Sequence, residues 1–381
     1  MKTIALYDND AFLREFEAQV ESCQESEKGY RVVLNQTAFF PEQGGQTSDI
    51  GLLGEGKVID VQVEDDEIVH YCDRAFEVGA TLSGIIDWHH RFGNMQQHTG
   101  EHIFTGLAHN IYGAENVGFH LSDNTVTLDL NIELDDTQIA FIERLANEVV
   151  AADVPVKAYY PDEASLATLE YRSKKEIDGP IRIVEVEGID FCACCAPHVK
   201  STGQVGMVKV TSFEKYKGGV RVYFLCGLRA LKDYNRRMDI LSKAYQLLNC
   251  QEDEIPEKIT SIMKNNKQLN YDISEIKAKI LLDKIQAYPS ELADVTIFTE
   301  DIDSKNMRDG VNALVEKHSG LCAIFSGNDD EGYNFVIGSR TRDCKAIATG
   351  LRELLGAKCG GSPQMAQGSI NATRSVIEQT L

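Results

Sequence analysis

Positive charge is scarce in this 381-residue chain: 38 Lys and Arg stand against 59 Asp and Glu, a formal net charge of −21. That balance excludes a general-purpose nucleic-acid binder, because neutralising phosphates needs a basic surface. Long hydrophobic runs are missing too. No apolar stretch approaches the roughly 20 residues that cross a bilayer as a helix. The opening "MKTIALYDNDAFLREFE" turns acidic at once, without the apolar core of a secretory leader. There is no low-complexity tract, and 43% hydrophobic with 25% charged residues are globular proportions. Ten cysteines without a secretion signal read as reduced thiols or metal ligands, not as a disulfide framework. Together these absences predict a cytoplasmic protein, and the length predicts more than one domain.

The charge that is present is unevenly spread. Residues 1–170 hold 31 acidic and 9 basic side chains, whereas 171–237 hold 13 basic and 7 acidic. The segment 336–376 carries six basic residues, among them Arg340, Arg342, Lys345 and Lys358, against two acidic ones. Steering follows local potential, so two basic zones leave room for a phosphate-binding surface on an acidic protein.

Hydrophobic periodicity predicts an α+β fold. Short β-rich runs such as "YRVVL", "NTVTLDL", "IRIVEV", "VGMVKVTS" and "GVRVYFLC" alternate with turns and with helices over about 91–111 and 137–152. A β-rich subdomain is expected over 1–88 and a second subdomain over 89–228. The period then changes. Leu231, Tyr234, Met238, Leu241, Tyr245 and Leu248 repeat at three and four, as do Ile259, Ile262, Asn266, Leu269, Ile273, Ile276 and Ile280. Such a seam predicts an antiparallel coiled-coil hairpin over 229–288, or a stripe that pairs two chains. Over 289–381 the runs "VTIF", "CAIF" and "YNFVIG" alternate with helical patterns at 304–318 and 343–355, a small α/β domain. Its tail "GAKCGGSPQMAQGS" is expected to be a loop, being too dense in Gly, Ser and Pro for helix or strand.

Three stretches carry chemistry. In "HTGEH", His98 and His102 are four apart, one turn on the same helical face, where two imidazoles reach one metal ion. In "DFCACCAPHVKSTGQVG", Cys194 and His198 are also four apart, with Cys195 a rival ligand beside them. Together the halves supply three imidazoles and a thiolate, an ordinary zinc set. In "TAFFPEQGGQTSDIG", Gly44 and Gly45 allow a tight turn and close approach by a ligand, surrounded by the polar Thr37, Gln43, Gln46, Thr47 and Asp49. "HTGEH" also spells the His-x-x-Glu-His of some metallopeptidases, with Glu101 as base. That class needs a carboxylate ligand downstream, where this chain offers Cys and His.

In this order and spacing the three motifs resemble the editing domain of alanyl-tRNA synthetase and the free-standing alanyl-tRNA editing proteins (the AlaX group, long form). The resemblance covers about residues 1–230, and the remainder is similar to the synthetase's C-terminal region, including its DHH-associated domain. No aminoacylation domain is expected. The resemblance implies a zinc-dependent hydrolase that removes serine or glycine from mischarged alanine tRNA. It makes Cys194 the ligand, places Thr37 against the serine hydroxyl, and sets Gly44, Gly45 and Gln46 against the terminal adenosine. A catalytic part is implied for Thr37 and Gln46. Four protein ligands suit an organising zinc better than an open hydrolytic one. Arg340, Arg342, Lys345 and Lys358 would hold the tRNA body. A non-catalytic, zinc-stabilised tRNA-binding protein is the alternative.

Overall fold

The computed structural model describes residues 3–122, 125–173 and 179–381. Part of the basic zone at 171–237, and the first residue of the expected run at 124–130, lie outside them. Two compact units divide the chain, one up to Ile240 and one from Leu241.

The first unit opens with a closed barrel. Its strands are β1 (Glu15–Ser26), β2 (Gly29–Leu34), β3 (Gly51–Leu53), β4 (Gly56–Glu64), β5 (Glu67–Cys72) and β6 (Thr81–Ile86), arranged β1-β2-β5-β4-β3-β6. All its pairings are antiparallel. Alternation along β1 turns Phe16, Ala18 and Val20 into a core with Leu34, Phe39, Phe40 and Val61. Closure removes the unpaired edges that a sheet of this size would otherwise expose.

A long helix, α1 (Trp88–Tyr112), follows, capped by Asp87 at its start and by Gly113 in the left-handed conformation at its end. It is buried on every side from Met95 to Ala108, so the polar residues there need partners inside the protein. Against it lie an antiparallel sheet of β7 (Asn116–Leu121), β8 (Val126–Leu130), β12 (Val208–Tyr216) and β13 (Gly219–Cys226), ordered β12-β13-β8-β7, and a helix α2 (Asp136–Ala152). A second small sheet comprises β9 (Val156–Tyr159), β10 (Ile183–Val186) and β11 (Asp190–Ala193). Gly100 is what lets β13 so near: a Cβ there would fall on the Cys226 sulfur. Gln97 completes the join, its amide donating to the Cys226 carbonyl at 2.8 Å and accepting from its N–H at 2.7 Å.

The second unit has a five-stranded sheet: β14 (Val295–Thr299), β15 (Cys322–Asn328), β16 (Gly332–Gly338), β17 (Lys358–Gly361) and β18 (Met365–Ile370), ordered β14-β15-β16-β18-β17. The glycine-rich tail expected to be a loop is therefore a β-hairpin. Its glycines are the reason: a Cβ at Gly361 or Gly368 would strike the facing backbone, so missing side chains permit the pairing. The hairpin of helices forms no unit of its own. Its first arm, α3 (Gly227–Leu248), begins in unit one, and its second, α4 (Ile255–Ala287), belongs to unit two. Only the end of α4 enters a core, through Leu281 and Ile285 against Val311 and Ile324. The heptad positions Ile259, Ile262, Leu269, Ile273, Ile276 and Ile280 stand exposed.

Helices α5 (Ser304–Lys317), α6 (Cys344–Leu355) and α7 (Arg374–Thr380), the last burying Ile377, also belong to this unit. Arg340, Arg342 and Lys345 are exposed around the start of α6, whereas Lys358 follows its other end, about 18 Å away along a 12-residue helix. Arg342 is engaged by Asp294 at 2.6 Å.

Candidate active site

α1 and the turn after β11 bring the two motif halves together. His98, His102, Cys194 and His198 offer ligand atoms that all lie within 4.8 Å of one another, and all but the half-buried Cys194 are buried. The Cys194 sulfur is 3.6 Å from His98 Nε2 and 3.4 Å from His198 Nε2. Cys195 is not in the cluster; its sulfur lies under the glycine turn, 3.6 Å from where a Gly44 Cβ would sit. Burial pushes its thiol up to about 12, with Cys194 adding to the effect. Of the two cysteines it is Cys194 that lies in the cluster.

The arrangement fits a metal ion. Each imidazole is held at Nδ1 by an oxygen: His98 by Gln46 Oε1 at 2.9 Å, His102 by Asp190 Oδ2 at 2.9 Å, and His198 by Thr99 Oγ1 at 3.0 Å. The Asp190 carboxylate can only accept, so it fixes the His102 proton on Nδ1; with His98 and His198 in the same tautomer, each Nε2 presents its lone pair inward, the orientation that ligands need. His198 is held well below its usual pKa by burial and by the neighbouring His102 and His98, so it is neutral. Burial also works against a charge on His102, but Cys192, Asp190 and Glu101 outweigh it and raise its pKa. Asp190 is anchored in turn by Arg172, whose Nε donates to it at 2.8 Å. Burial opposes ionisation of Asp190, and the bonds from His102 and Arg172 overcome that and keep it a carboxylate.

The middle of "HTGEH" is now accounted for. Thr99 orients His198, and Gly100 admits β13. Glu101 is committed to Asn116 and to Thr105. Both bonds fall on one carboxylate oxygen, and the other lies 3.8 Å from His102 Nε2.

The loop after β2 docks on this cluster. Gly44 and Gly45 have φ of +64° and +83°, the two positive values of a tight hairpin turn, and the Gln43 and Gln46 backbones bond across it. The turn is pinned to β7: Leu121 N–H donates to the Gly45 carbonyl at 2.7 Å, and Thr47 N–H to the Leu121 carbonyl at 3.1 Å. A Cβ at Gly45 would strike the Phe119 carbonyl. Asp49, at the loop's end, is fully buried with Arg91 of α1. The Arg91 Nε donates to both Asp49 oxygens at 2.9 Å, and Phe40 N–H donates to the carboxylate at 2.6 Å. One ion pair therefore fixes the loop to the helix bearing two of the ligands.

Thr37 behaves differently. It is wholly buried, and its hydroxyl bonds within the barrel side of the unit. His70 Nδ1 faces the Val32 carbonyl at 3.2 Å, so it carries the proton, and Nε2 accepts from Thr37 O–H at 2.8 Å. Phe39 N–H donates to the same oxygen at 3.1 Å. Its donor thus spent, Thr37 has only acceptor capacity left.

Sequence reasoning missed Asp190, Arg172, Arg91, Thr99 and His70. Two of these sit within the quoted motifs, Thr99 between the histidines and Asp190 at the head of the cysteine run. The others are distant in sequence and carry no local signal.

The chain is similar to proteins of the synthetase and tRNA-editing class. The family described as "Threonyl and Alanyl tRNA synthetase second additional domain" matches residues 181–223, and that described as "tRNA synthetases class II (A)" matches 2–90. An alanine–tRNA ligase of Pyrococcus abyssi is 31% identical over 97% of this chain, which spans 42% of that ligase's length. The alanyl-tRNA editing protein AlaX-L of Pyrococcus horikoshii is 28% identical, covering 96% of this chain and 94% of its own. The editing protein Aarsd1 of Danio rerio is 27% identical over 98% of this chain and 95% of its own. The chain is thus homologous to the free-standing alanyl-tRNA editing proteins over nearly its full length. A solved C-Ala domain from Aquifex aeolicus alanyl-tRNA synthetase matches 23% of the chain at 21% identity, with a TM-score of 0.21, too slight a likeness to use.

Proposed function

We propose that the protein is a trans-acting deacylase that hydrolyses seryl and glycyl esters of alanine tRNA. The observation that carries the reading is the four-ligand cluster with every imidazole oriented from behind, docked under the Gly44–Gly45 turn, in a chain homologous to named alanyl-tRNA editing proteins. In the reaction the bond between the acyl carbon and the ribose oxygen breaks. Water supplies the oxygen that takes its place, and a water proton ends on the ribose.

Zinc suits a donor set of three imidazoles and one cysteine sulfur. Bound by His98, His102, Cys194 and His198, it would supply fixed positive charge and hold the pocket's shape. The protein's own residues do the rest. Asp190, Thr99 and Gln46 keep the ligands aligned, and the burial of the cluster excludes bulk water.

Discrimination has a chemical basis. Alanine lies between glycine and serine in size, and one methyl group is worth about 1–3 kcal/mol, so size alone cannot reject both. A serine hydroxyl donating to the acceptor left on Thr37 would give a contact that alanine lacks. Gly44 and Gly45, exposed in the turn, suit close approach by the terminal adenosine. Arg340, Arg342, Lys345 and Lys358 are exposed and suited to phosphates farther along the tRNA, and the exposed seam of α4 is suited to pairing with a second copy.

The test is direct. Purified protein mixed with seryl-tRNA is expected to release free serine with turnover. Binding of that tRNA without any release would instead establish a tRNA-binding protein without deacylase activity.

A further inference from the structure

Arg182 is a buried arginine that lies in none of the three motifs. It stands just before β10, and its bonds go to the turn that carries Cys194. Its Nη1 donates to the Cys194 carbonyl and to the Ala196 carbonyl, each at 3.0 Å. Its own backbone carbonyl accepts from the Cys194 N–H, also at 3.0 Å. The peptide groups on both sides of Cys194 are therefore held by this one residue.

A residue has only two soft backbone dihedrals. With the N–H on one side of Cys194 and the carbonyl on the other both fixed, the direction of its Cα–Cβ bond is fixed as well. That direction delivers the sulfur to Nε2 of His98 and of His198. The Ala196 bond holds the turn beyond Cys195, whose own sulfur lies under the glycine turn instead. A buried guanidinium also needs a counter-charge. Asp8, in the short helical turn Leu6–Asn9, supplies one: its Oδ1 lies 3.8 Å from Arg182 Nε, and Tyr160 O–H donates to its Oδ2 at 3.3 Å. Tyr7, next to Asp8, is anchored edge-on against Phe40 in the barrel core.

We infer that Arg182 is a positioning residue for the metal centre: it sets the Cys194 backbone so that this sulfur, and not that of Cys195, faces His98, His102 and His198. The inference rests on the metal-centre part of the proposed function and needs no assumption about the substrate. In the sequence Arg182 is only one residue of a β-rich run, and nothing there ties it to a cysteine twelve positions on.

Cobalt(II) in place of zinc distinguishes the two kinds of ligand. A cysteine sulfur gives it an intense near-ultraviolet charge-transfer band that imidazoles do not, so band intensity per bound cobalt measures how well Cys194 is engaged. Arg182→Lys keeps the positive charge facing Asp8 and loses the reach of the guanidinium; Arg182→Met loses both. In the full chain, both variants are expected to bind zinc roughly 10–100-fold more weakly in competition with a chelator, as when a partner behind a metal ligand is removed. Both are also expected to show a weaker band per bound cobalt. Thr99→Val, which frees His198 instead, is the control: zinc affinity falls there too, with the band per cobalt unchanged.

Arg182→Lys, with its charge kept, carries the test if Arg182→Met does not fold. An unchanged band per cobalt in Arg182→Lys, whether or not zinc binds more weakly, would make the arginine a general support of the turn and overturn the inference. Wild-type protein that takes up neither zinc nor cobalt removes the metal centre itself, and this inference with it. Because no hydrolysis is read, failure of the deacylase reading is distinguished from failure of this inference.

Discussion

Thr37 shows how much one hydroxyl's orientation decides. Its proton goes to His70 Nε2, and only an acceptor remains for a ligand. Thr37→Val keeps the volume and removes that acceptor, so seryl-ester hydrolysis is expected to fall by about 0.5–1.5 kcal/mol in ΔΔG‡, with glycyl-ester hydrolysis much less affected. Steady-state kinetics on both esters check this; equal losses would exclude Thr37 as the serine reader. His70 makes a separate prediction. Burial lowers its pKa from 6.5 to about 4, so between those values the unfolded chain binds the extra proton. Its contribution to stability is therefore complete above about pH 6.5 and is lost as pH falls toward 4, by roughly 3 kcal/mol in all. Denaturant melts of wild type and His70→Gln are expected to converge over that window, and parallel curves would contradict the assignment. The clustered His98, His102 and His198 are legible in the sequence because their spacing is that of metal ligands. Thr37's partner is not: a histidine in the run "EIVHYC" reads as a strand residue, and only the closed barrel sets it against position 37.

Among elements, α1 and the glycine loop depend on each other through Arg91 and Asp49. Both side chains are fully buried. Removing one charge leaves the other buried and unpaired, which costs about 3–5 kcal/mol. Arg91→Met is therefore expected to lower stability by that order in denaturant melts. It should also loosen Gln46 from His98, so bound metal is retained less well on dialysis against a chelator. A loss below about 1 kcal/mol would show that the pair is not what joins loop to helix. The spans of α1, α2, α5 and α6 are close to those the hydrophobic period predicts, because a 3.6-residue period on a packed helix is a local signal. The glycine-rich tail misled for an equally physical reason. Glycine weakens a strand by propensity, yet at the edge of this sheet its missing Cβ is what makes room for the neighbouring strand. Propensity is a local quantity and close approach is not.

At the level of the whole molecule, the two units divide the work the reading assigns. The cluster, the turn and Thr37 all lie before Ile240, and the basic positions from Arg340 to Lys358 lie after it. A chain ending at Ile240 is expected to hydrolyse a short acylated mimic of the tRNA 3′ end. It should bind whole tRNA more weakly and with a shallower salt dependence, because fewer phosphates are neutralised. Unchanged affinity and slope would mean that the second unit does something other than hold tRNA. The central claim is that the three-histidine, one-cysteine cluster is a metal centre on which deacylation depends. The measurement that meets it most directly follows zinc content and seryl-tRNA hydrolysis in one preparation, through chelation and stepwise return of zinc. The account predicts about one zinc per chain, from one four-ligand set, with activity lost and regained in proportion to occupancy and neither restored in His102→Ala. Full hydrolysis by metal-free protein would contradict it.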